Sequence, residues 1–205
     1  MGNVNRWALL SLLLPAALFA RPVSYADSWT LTQKNDSFGH ILSLHYSPTA
    51  RYSLGVFAQS KPDLNKAWYI ATCNALLKRW NLPSAQANIF FLSGVGASRN
   101  KGRMGGAAQC GLSLDYETRR ILIAYENRAV YAGHVEKSFH HIGRVGFSPY
   151  VAAFDALQPW ILLQYEYKNS KSVLTPLLRL YRNNVLVELG LSTKGTLLFN
   201  WIVTF

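Results

Sequence analysis

The sequence predicts an all-β protein, an antiparallel transmembrane β-barrel, and three observations support that prediction. Hydrophobic residues make up 50% of the chain and charged residues only 15%, against about 25% charged residues in ordinary soluble domains. Beyond the N-terminus, no apolar run reaches the roughly 18 residues that a membrane-spanning helix needs. The apolar residues instead alternate with polar ones over short segments, which is typical of strands between lipid and a polar lumen.

The C-terminal segment, residues 196–205, shows the alternation most clearly. Phe199, Trp201, Val203 and Phe205 share one parity, so one face of a strand here is wholly apolar. A soluble domain rarely ends on such a face, because terminal residues usually fray. The segment resembles the terminal strand of small Gram-negative outer-membrane β-barrel proteins. This resemblance implies that the four residues are an assembly signal for the outer-membrane barrel assembly machinery.

The N-terminus predicts a cleaved signal peptide over residues 1–26. A positive residue at Arg6 precedes an apolar core, and Ser24-Tyr25-Ala26 is a small-x-small cleavage site. An uncleaved anchor is the alternative, against which Pro15 and the short apolar core argue. Residues 27–205 are then a single barrel domain of the Gram-negative outer membrane, exported through this signal peptide.

Most of the mature chain has the pattern of strands joined by turns. The segments add up to about ten strands from His40 onward, with eight or twelve as alternatives, because single-chain bacterial barrels have even numbers of strands. A count of twelve follows if residues 28–34 pair and residues 137–154 form two strands. Each count gives one closed antiparallel sheet.

Residues 62–81 interrupt the strand pattern and predict one amphipathic helix. Pro62-Asp63 can open a helix, and Lys78 and Arg79 lie near its end, where the helix dipole favours cations. Ala71 and Ala75 follow helical spacing on one apolar face. Such a helix lies either at the membrane interface or packed on the barrel mouth or in its lumen. The strand count decides on which side of the membrane it falls.

Charged residues occupy one parity of several predicted strands. If the apolar parity faces lipid, the other parity faces the lumen and carries a polar network: Asp115, Glu117, Glu126, Arg128, Glu166, Arg179 and Glu188. This network either fills and stiffens a narrow barrel, because buried charges need partners, or it lines a pore or a small-solute site.

The chain is basic, and much of its positive charge falls in predicted loops. Loss of Arg6 and Arg21 with the signal peptide changes the formal charge from +11 to +9 (+11 − 2). A basic exported protein meets anionic surfaces. The sequence contains no nucleic-acid recognition motif, so a nucleic acid is not predicted as a partner. With the C-terminus in the periplasm, several cations lie outside the cell and are predicted to contact lipopolysaccharide phosphates: Arg99, Lys101, Arg103, Lys168, Lys171 and Lys194.

Few residues are candidates for catalysis or metal binding. His140, His141, Ser148 and Glu126 could form a hydrolytic Ser/His/acid set, like that of lipid A-modifying hydrolases or acyltransferases among small outer-membrane barrels. No catalytic signature surrounds them, and adjacent histidines in a strand point to opposite faces. His134, Glu136, His140 and His141 lack a diagnostic metal-ligand spacing, so the sequence predicts no metal and no cofactor.

The two cysteines leave two alternatives open. An exported protein meets an oxidising compartment, in which Cys73 and Cys110 can form a disulfide. They can equally remain two inert thiols.

Together these features predict a small, monomeric outer-membrane barrel in contact with outer-membrane lipid and lipopolysaccharide, with a structural or binding role at the cell envelope. Three alternatives remain: a lipid A-modifying hydrolase, a narrow channel, and a soluble periplasmic β-barrel that binds an apolar ligand. The soluble barrel requires the apolar parity to face inward and the charged parity to face water, the reverse of the membrane arrangement.

Overall fold

The computed structural model describes residues 21–61, 65–153 and 155–205, which form one closed antiparallel barrel of twelve strands. Residues 1–20 of the predicted signal peptide and residues 62–64 of the predicted helix lie outside the described residues. In chain order the strands are β1 (Ser28–Asp36), β2 (Gly39–Thr49), β3 (Tyr52–Lys61), β4 (Lys66–Asn81), β5 (Ala85–Asn100), β6 (Arg103–Thr118), β7 (Ile121–Ala132), β8 (Glu136–Phe147), β9 (Gln158–Lys168), β10 (Lys171–Arg182), β11 (Val185–Leu191) and β12 (Leu197–Thr204).

The ring closes between β1 and β12. Every strand pairs with its neighbours in the sequence, and Leu31 of β1 lies opposite Val203 of β12. Just beyond this register, Trp29 N donates a hydrogen bond to Phe205 O (2.7 Å) and Phe205 N donates one to Trp29 O (2.9 Å). Closure gives every strand a hydrogen-bonded neighbour on both sides, so the ring has no free edge strand.

The barrel has two distinct ends. Because the number of strands is even, Ser28 and Thr204 lie at the same end, which we call the near end. The opposite end, the far end, carries the connections after the odd-numbered strands. One of these is the tight turn at Lys101 and Gly102, whose φ angles of 47° and 85° suit a two-residue hairpin.

The two faces of the sheet differ as the alternation predicts. On β9, Ile161, Leu163 and Tyr165 are exposed on the outside, whereas the intervening Trp160, Gln164, Glu166 and Lys168 are buried inside. The same alternation, apolar outside and mixed inside, recurs on β7, β10 and β12. This is the arrangement of a membrane barrel and the reverse of the one that the soluble alternative requires.

The predicted amphipathic helix at residues 62–81 is wrong, because residues 66–81 form β4. Trp68 and Ile70 are buried and alternate with exposed Tyr69 and Ala71, and β4 pairs with both β3 and β5. A four-residue spacing of alanines places them on one face of a strand as well as of a helix. A β-bulge between Leu76 and Lys78 further breaks the alternation. Sheet pairing therefore overrides the weak helical preference of this segment.

The predicted count of ten strands is also wrong, and twelve, kept as an alternative, is correct. The two strands missing from the count are β1 and β4. The irregular stretch of residues 137–154 does not divide, because it contributes only β8 and the connection that follows. No helix in the described part of the chain is long and apolar enough to cross a membrane.

Side chains fill much of the barrel interior. One apolar cluster is centred on Phe57, Trp68 and Ile70, and a second contains Trp160, Leu177 and Leu198. Gly190 lies between Leu177 and Leu198 in the sheet. A Cβ at this position would lie 2.3 Å from Leu177 Cδ2, so the close approach of Leu177 requires glycine.

Candidate functional site

The candidate site is the lumen, where the two apolar clusters leave room for a charged network. Every glutamate of the chain faces inward, as the burial pattern of its strand shows. The network residues predicted from the sequence all lie on this face. The structure adds charged residues that the sequence analysis did not select: Lys34, Asp36, Lys61, Arg79, Glu136 and Arg144.

Glu188 is the centre of the first group of contacts. Its Oε1 accepts hydrogen bonds from Arg179 Nη2 (2.6 Å) and Nε (2.9 Å) and lies 3.4 Å from Arg144 Nη1. Its Oε2 accepts a hydrogen bond from Asn200 Nδ2 (2.7 Å). Four strands contribute to this cluster, so it ties β8, β10, β11 and β12 together across the lumen.

A second group lies toward the far end, around Glu136. Glu136 Oε1 contacts Lys168 Nζ at 2.5 Å and accepts a hydrogen bond from Ser138 Oγ (2.6 Å), and its other oxygen pairs with Lys61. Lys168 is 3% exposed. It therefore points into the lumen rather than out of the far-end loop, and the predicted lipopolysaccharide contact of Lys168 does not fit this position.

The remaining charges surround a cavity in the middle of the lumen. Glu126 Oε1 pairs with Arg128 Nη2 at 2.7 Å, and His140 Nε2 lies 3.6 Å from Glu166 Oε1. Lys34 lies beside them and makes no ion pair with any described residue at 4 Å or less. These residues come from β1, β7, β8 and β9.

The cavity has a volume of about 90 Å³, and most of the residues in its wall are polar or charged. Four oxygen atoms are buried in this wall without a hydrogen-bond partner among the described residues: Thr72 Oγ1, Gln109 Oε1, Gln164 Oε1 and Glu166 Oε2. Because buried polar atoms are normally satisfied by protein groups or by water, the cavity suits water and small polar solutes. Its size admits only a few water molecules at once.

The near end of the lumen carries Asp115 and Glu117. Both side chains are almost fully buried, and each carboxylate lies 3.6 Å from Arg21 Nη2. Asp115 Oδ1 also accepts a hydrogen bond from Asn88 Nδ2 (2.7 Å), and Asn88 Oδ1 in turn accepts one from Arg79 Nε (2.7 Å).

The predicted hydrolytic residues do not come together. His140 points into the lumen, whereas His141 points outward, where Tyr125 Oη lies 2.6 Å from its Nδ1. Ser148 lies at the near end, about eight residues beyond His140, which corresponds to about 25 Å along a strand. Its hydroxyl donates to the backbone carbonyls of Tyr150 and Pro159, and no base lies beside it among its described contacts.

The described residues contain no group of three or more His, Cys, Asp or Glu side chains that could hold a metal ion. Cys73 and Cys110 are free thiols on the outer face. Ser93 of β5 lies between them in the sheet, so their Cα atoms are about 9–10 Å apart. A disulfide requires less than about 7 Å, so this geometry does not allow the pair to form.

The other predicted lipopolysaccharide contacts are at the far end. Arg99, Lys101, Arg103, Lys171 and Lys194 are all exposed there. Lys137 at the start of β8 is exposed as well, and the carboxylate of the same region, Glu136, is buried. The exposed charge of the far end is therefore strongly positive in the described part of the chain.

The sequence held partial signals for the charged residues that were missed. Lys34 shares the parity of Thr30 and Thr32 in β1, and Arg144 shares that of His140 in β8. Neither signal was decisive, because β1 was not counted as a strand and β8 lies in a stretch rich in glycine.

Comparison with known proteins shows the fold. No protein-family model and no curated protein matches the sequence. Among solved structures, the chain is similar to "KdgM porin in complex with disordered oligogalacturonate", with a TM-score of 0.50, 13% identity, and coverage of 86% of this chain and 96% of that one. A second structure, "KdgM porin", gives a TM-score of 0.49 at the same identity and coverage. The first similarity confirms that the chain has the closed antiparallel barrel fold of an outer-membrane porin, and with it the resemblance to Gram-negative outer-membrane β-barrel proteins.

Proposed function

We propose that this protein is a narrow outer-membrane channel for small solutes, with a preference for anions. The observation that carries the proposal is the lumen itself. A closed barrel with an apolar exterior encloses a polar wall, a cavity of about 90 Å³ and a surplus of cations.

The outer face supports a position in a lipid bilayer. Large apolar side chains are exposed around the ring, among them Val95 (68%), Ile123 (51%) and Leu189 (44%). Such a surface is costly in water but matches lipid. Closure of the sheet satisfies the second demand of a bilayer, which is that no backbone hydrogen-bonding group faces lipid unpaired.

Charge around the cavity supports anion preference. Its wall contains the cations Arg21, Lys34, Arg128, Arg144 and Lys168 and the carboxylates Asp36, Glu126 and Glu166, a surplus of two positive charges (5 − 3). One positive charge remains if Arg21 leaves with the signal peptide. The exposed cations of the far end add to the positive electrostatic potential of the lumen. This potential concentrates anions at the far-end mouth of the barrel.

The width of the lumen limits the size of the solute. With residues 21–26 in the near mouth, a cavity of about 90 Å³ admits water and small ions. The ion pairs of Glu188 and Glu136 lie between barrel strands and narrow the path whether or not these residues are present. Oligogalacturonate, the ligand named for the solved porin, is a useful test solute here because it carries carboxylates. We expect it to be drawn to the mouth and to block the current rather than to pass.

The test is single-channel recording of the protein purified from outer membranes and reconstituted in planar bilayers. We expect small discrete steps and, in a KCl gradient, a reversal potential that indicates chloride preference. The absence of steps from protein that shows the heat-dependent gel mobility of a folded barrel would contradict the proposal. A reversal potential that indicates cation preference would contradict the proposal that the surplus positive charge around the cavity selects anions.

A structural and binding role at the cell envelope is the second candidate. The exposed cations at the far end favour it, because Arg99, Lys101 and Arg103 lie in one turn region and can contact the phosphates of lipopolysaccharide. This assumes a near end in the periplasm, as the C-terminal assembly signal implies. Co-purification of lipopolysaccharide that is lost in the variant Arg99→Ser/Lys101→Ser/Arg103→Ser, with Arg51→Ser at the near end as the control, would support it.

A further inference from the structure

Residues 21–26 enter the barrel from the near end and belong to none of its strands. Ser53 Oγ of β3 donates a hydrogen bond to Pro22 O (2.5 Å), and Ser24 N donates one to Ser47 Oγ of β2 (3.1 Å). Between these two contacts the side chain of Val23 is 1% exposed. The lumen wall therefore holds a short peptide by its backbone and by one apolar side chain.

The guanidinium group of Arg21, at the start of this peptide, lies beside two carboxylates of the lumen wall. Its Nη2 lies 3.6 Å from Asp115 Oδ1 and 3.6 Å from Glu117 Oε2, and all three side chains are at most 7% exposed. Asp115 is also held by Asn88, but the buried Glu117 Oε2 has no hydrogen-bond partner among the described residues. A buried carboxylate oxygen without a hydrogen-bond partner among the described residues thus faces the guanidinium group of Arg21.

Cleavage after Ala26 would remove this peptide and leave both carboxylates in the mouth. Two neighbouring carboxylates in a poorly solvated site repel each other and are destabilising unless a cation compensates them. Among the described residues two cations remain nearby, but Arg79 is engaged with Asn88 through its Nε, and Arg179 is paired with Glu188. The mature mouth would then present a negative pocket next to the two serine hydroxyls that had held the peptide backbone.

We propose that the near mouth of the mature barrel is a binding site for a short peptide that carries a guanidinium group. Residues 21–24 of the chain itself show how such a ligand binds: the guanidinium contacts Asp115 and Glu117, the following carbonyl accepts from Ser53, and a small apolar side chain is buried. Ser53, Asp115 and Glu117 are not part of the wall of the central cavity, although Arg21 and Pro22 reach that wall when they occupy the site. The site does not depend on whether the barrel conducts. The sheet closes through residues 28–204 and needs none of the peptide.

The experiment uses the protein purified from outer membranes, with its N-terminus established by intact mass. Calorimetry in detergent then measures the binding of the hexapeptide Arg-Pro-Val-Ser-Tyr-Ala and of the same peptide with citrulline in place of arginine, which removes the charge but keeps the shape. We expect the citrulline peptide to bind at least about tenfold more weakly, and we expect salt to weaken the arginine peptide more than its analogue.

Barrel variants give a second measurement. Glu117→Gln removes the charge but little volume and should weaken the arginine peptide by about tenfold as well. Asp155→Asn, at an exposed carboxylate in a near-end connection, should leave binding unchanged. Equal binding of the two peptides, no binding of either at millimolar concentration, or an intact mass that still includes Arg21 would each overturn the proposal. The peptide comparison needs no change to the barrel, so it holds even if Glu117→Gln fails to fold.

Discussion

Arg179 and Glu188 lie directly opposite each other on β10 and β11 and form an ion pair of 2.6 Å in which both side chains are only 1% exposed. Asn200 and Arg144 complete the coordination of the same carboxylate. Since the pair lies on the lumen face, it is removed from water by the barrel itself. Removal of Glu188 would leave the side chains of Arg179 and Arg144 without their shared carboxylate.

We therefore expect Glu188→Gln to lower the free energy of unfolding by about 3 kcal/mol, because Arg179 and Arg144 lose their carboxylate. Urea unfolding in detergent micelles, followed by tryptophan fluorescence, measures the change. Asp155→Asn serves as the control, since this exposed side chain should leave stability within about 0.5 kcal/mol. Equal midpoints for the two variants would show that the cluster contributes little to stability.

Lys34 is the natural position at which to test the charge of the cavity. It lines the cavity and has no ion-pair partner among the described residues, so Lys34→Met should reduce anion preference with little effect on folding. The reversal potential in a KCl gradient should move toward zero. Lys78→Met, outside the lumen and over the ring of Trp80, should leave the potential unchanged, and a similar shift in both variants would argue against a role for the cavity.

The assignment of residues 66–81 to β4 places Ala71 on the outer face. Ala71→Arg should destabilise the protein in lipid by about 2–4 kcal/mol if the residue lies near the bilayer centre. Unfolding from lipid vesicles measures the loss. Ala156→Arg, in the exposed near-end connection, is the matched control, and a tolerant Ala71→Arg variant would place this segment outside the bilayer.

Cys73 and Cys110 report on the same face. Both thiols should resist a charged maleimide in membranes and react with it once the protein is unfolded in denaturant, because lipid covers them in the folded barrel and disfavours the reactive thiolate. Oxidation with copper phenanthroline should leave the intact mass and the gel mobility unchanged, because Ser93 separates the two residues in the sheet. An intramolecular disulfide in the folded protein would contradict the register of β4, β5 and β6.

The last residue tests the closure of the barrel. Phe205 exchanges two backbone hydrogen bonds with Trp29, and its side chain is 65% exposed. Deletion of Phe205, or Phe205→Asp, should reduce the fraction of chain that becomes heat-modifiable in outer membranes, whereas Phe205→Trp should assemble normally. If Phe205→Asp assembles at the rate of the natural protein, the residue is not part of an assembly signal.

The difference between the predicted and the observed fold comes from particular elements. Segments in which apolar and polar residues alternate strictly, such as Ile161 to Tyr167, were assigned correctly because alternation and burial agree. β4 was missed because its alanines fit two periods and a bulge interrupts its alternation. Lys168 ends a strand beside a loop, so its sequence position did not show whether it would turn outward or, as it does, toward Glu136.

The sequence by itself determined the class of fold, because each clear strand has one apolar and one polar parity, and a closed antiparallel sheet separates the two. It did not determine the direction of the faces, because a soluble barrel with the apolar parity inward remained an alternative until the structure placed the apolar side chains on the outside. The tertiary structure decided which charges meet, because Arg144, Glu188 and Asn200 lie on three strands whose spatial order depends on how the ring closes. It also decided that the lumen is narrow, since side chains from opposite walls fill it, and that residues 21–24 fit its near mouth.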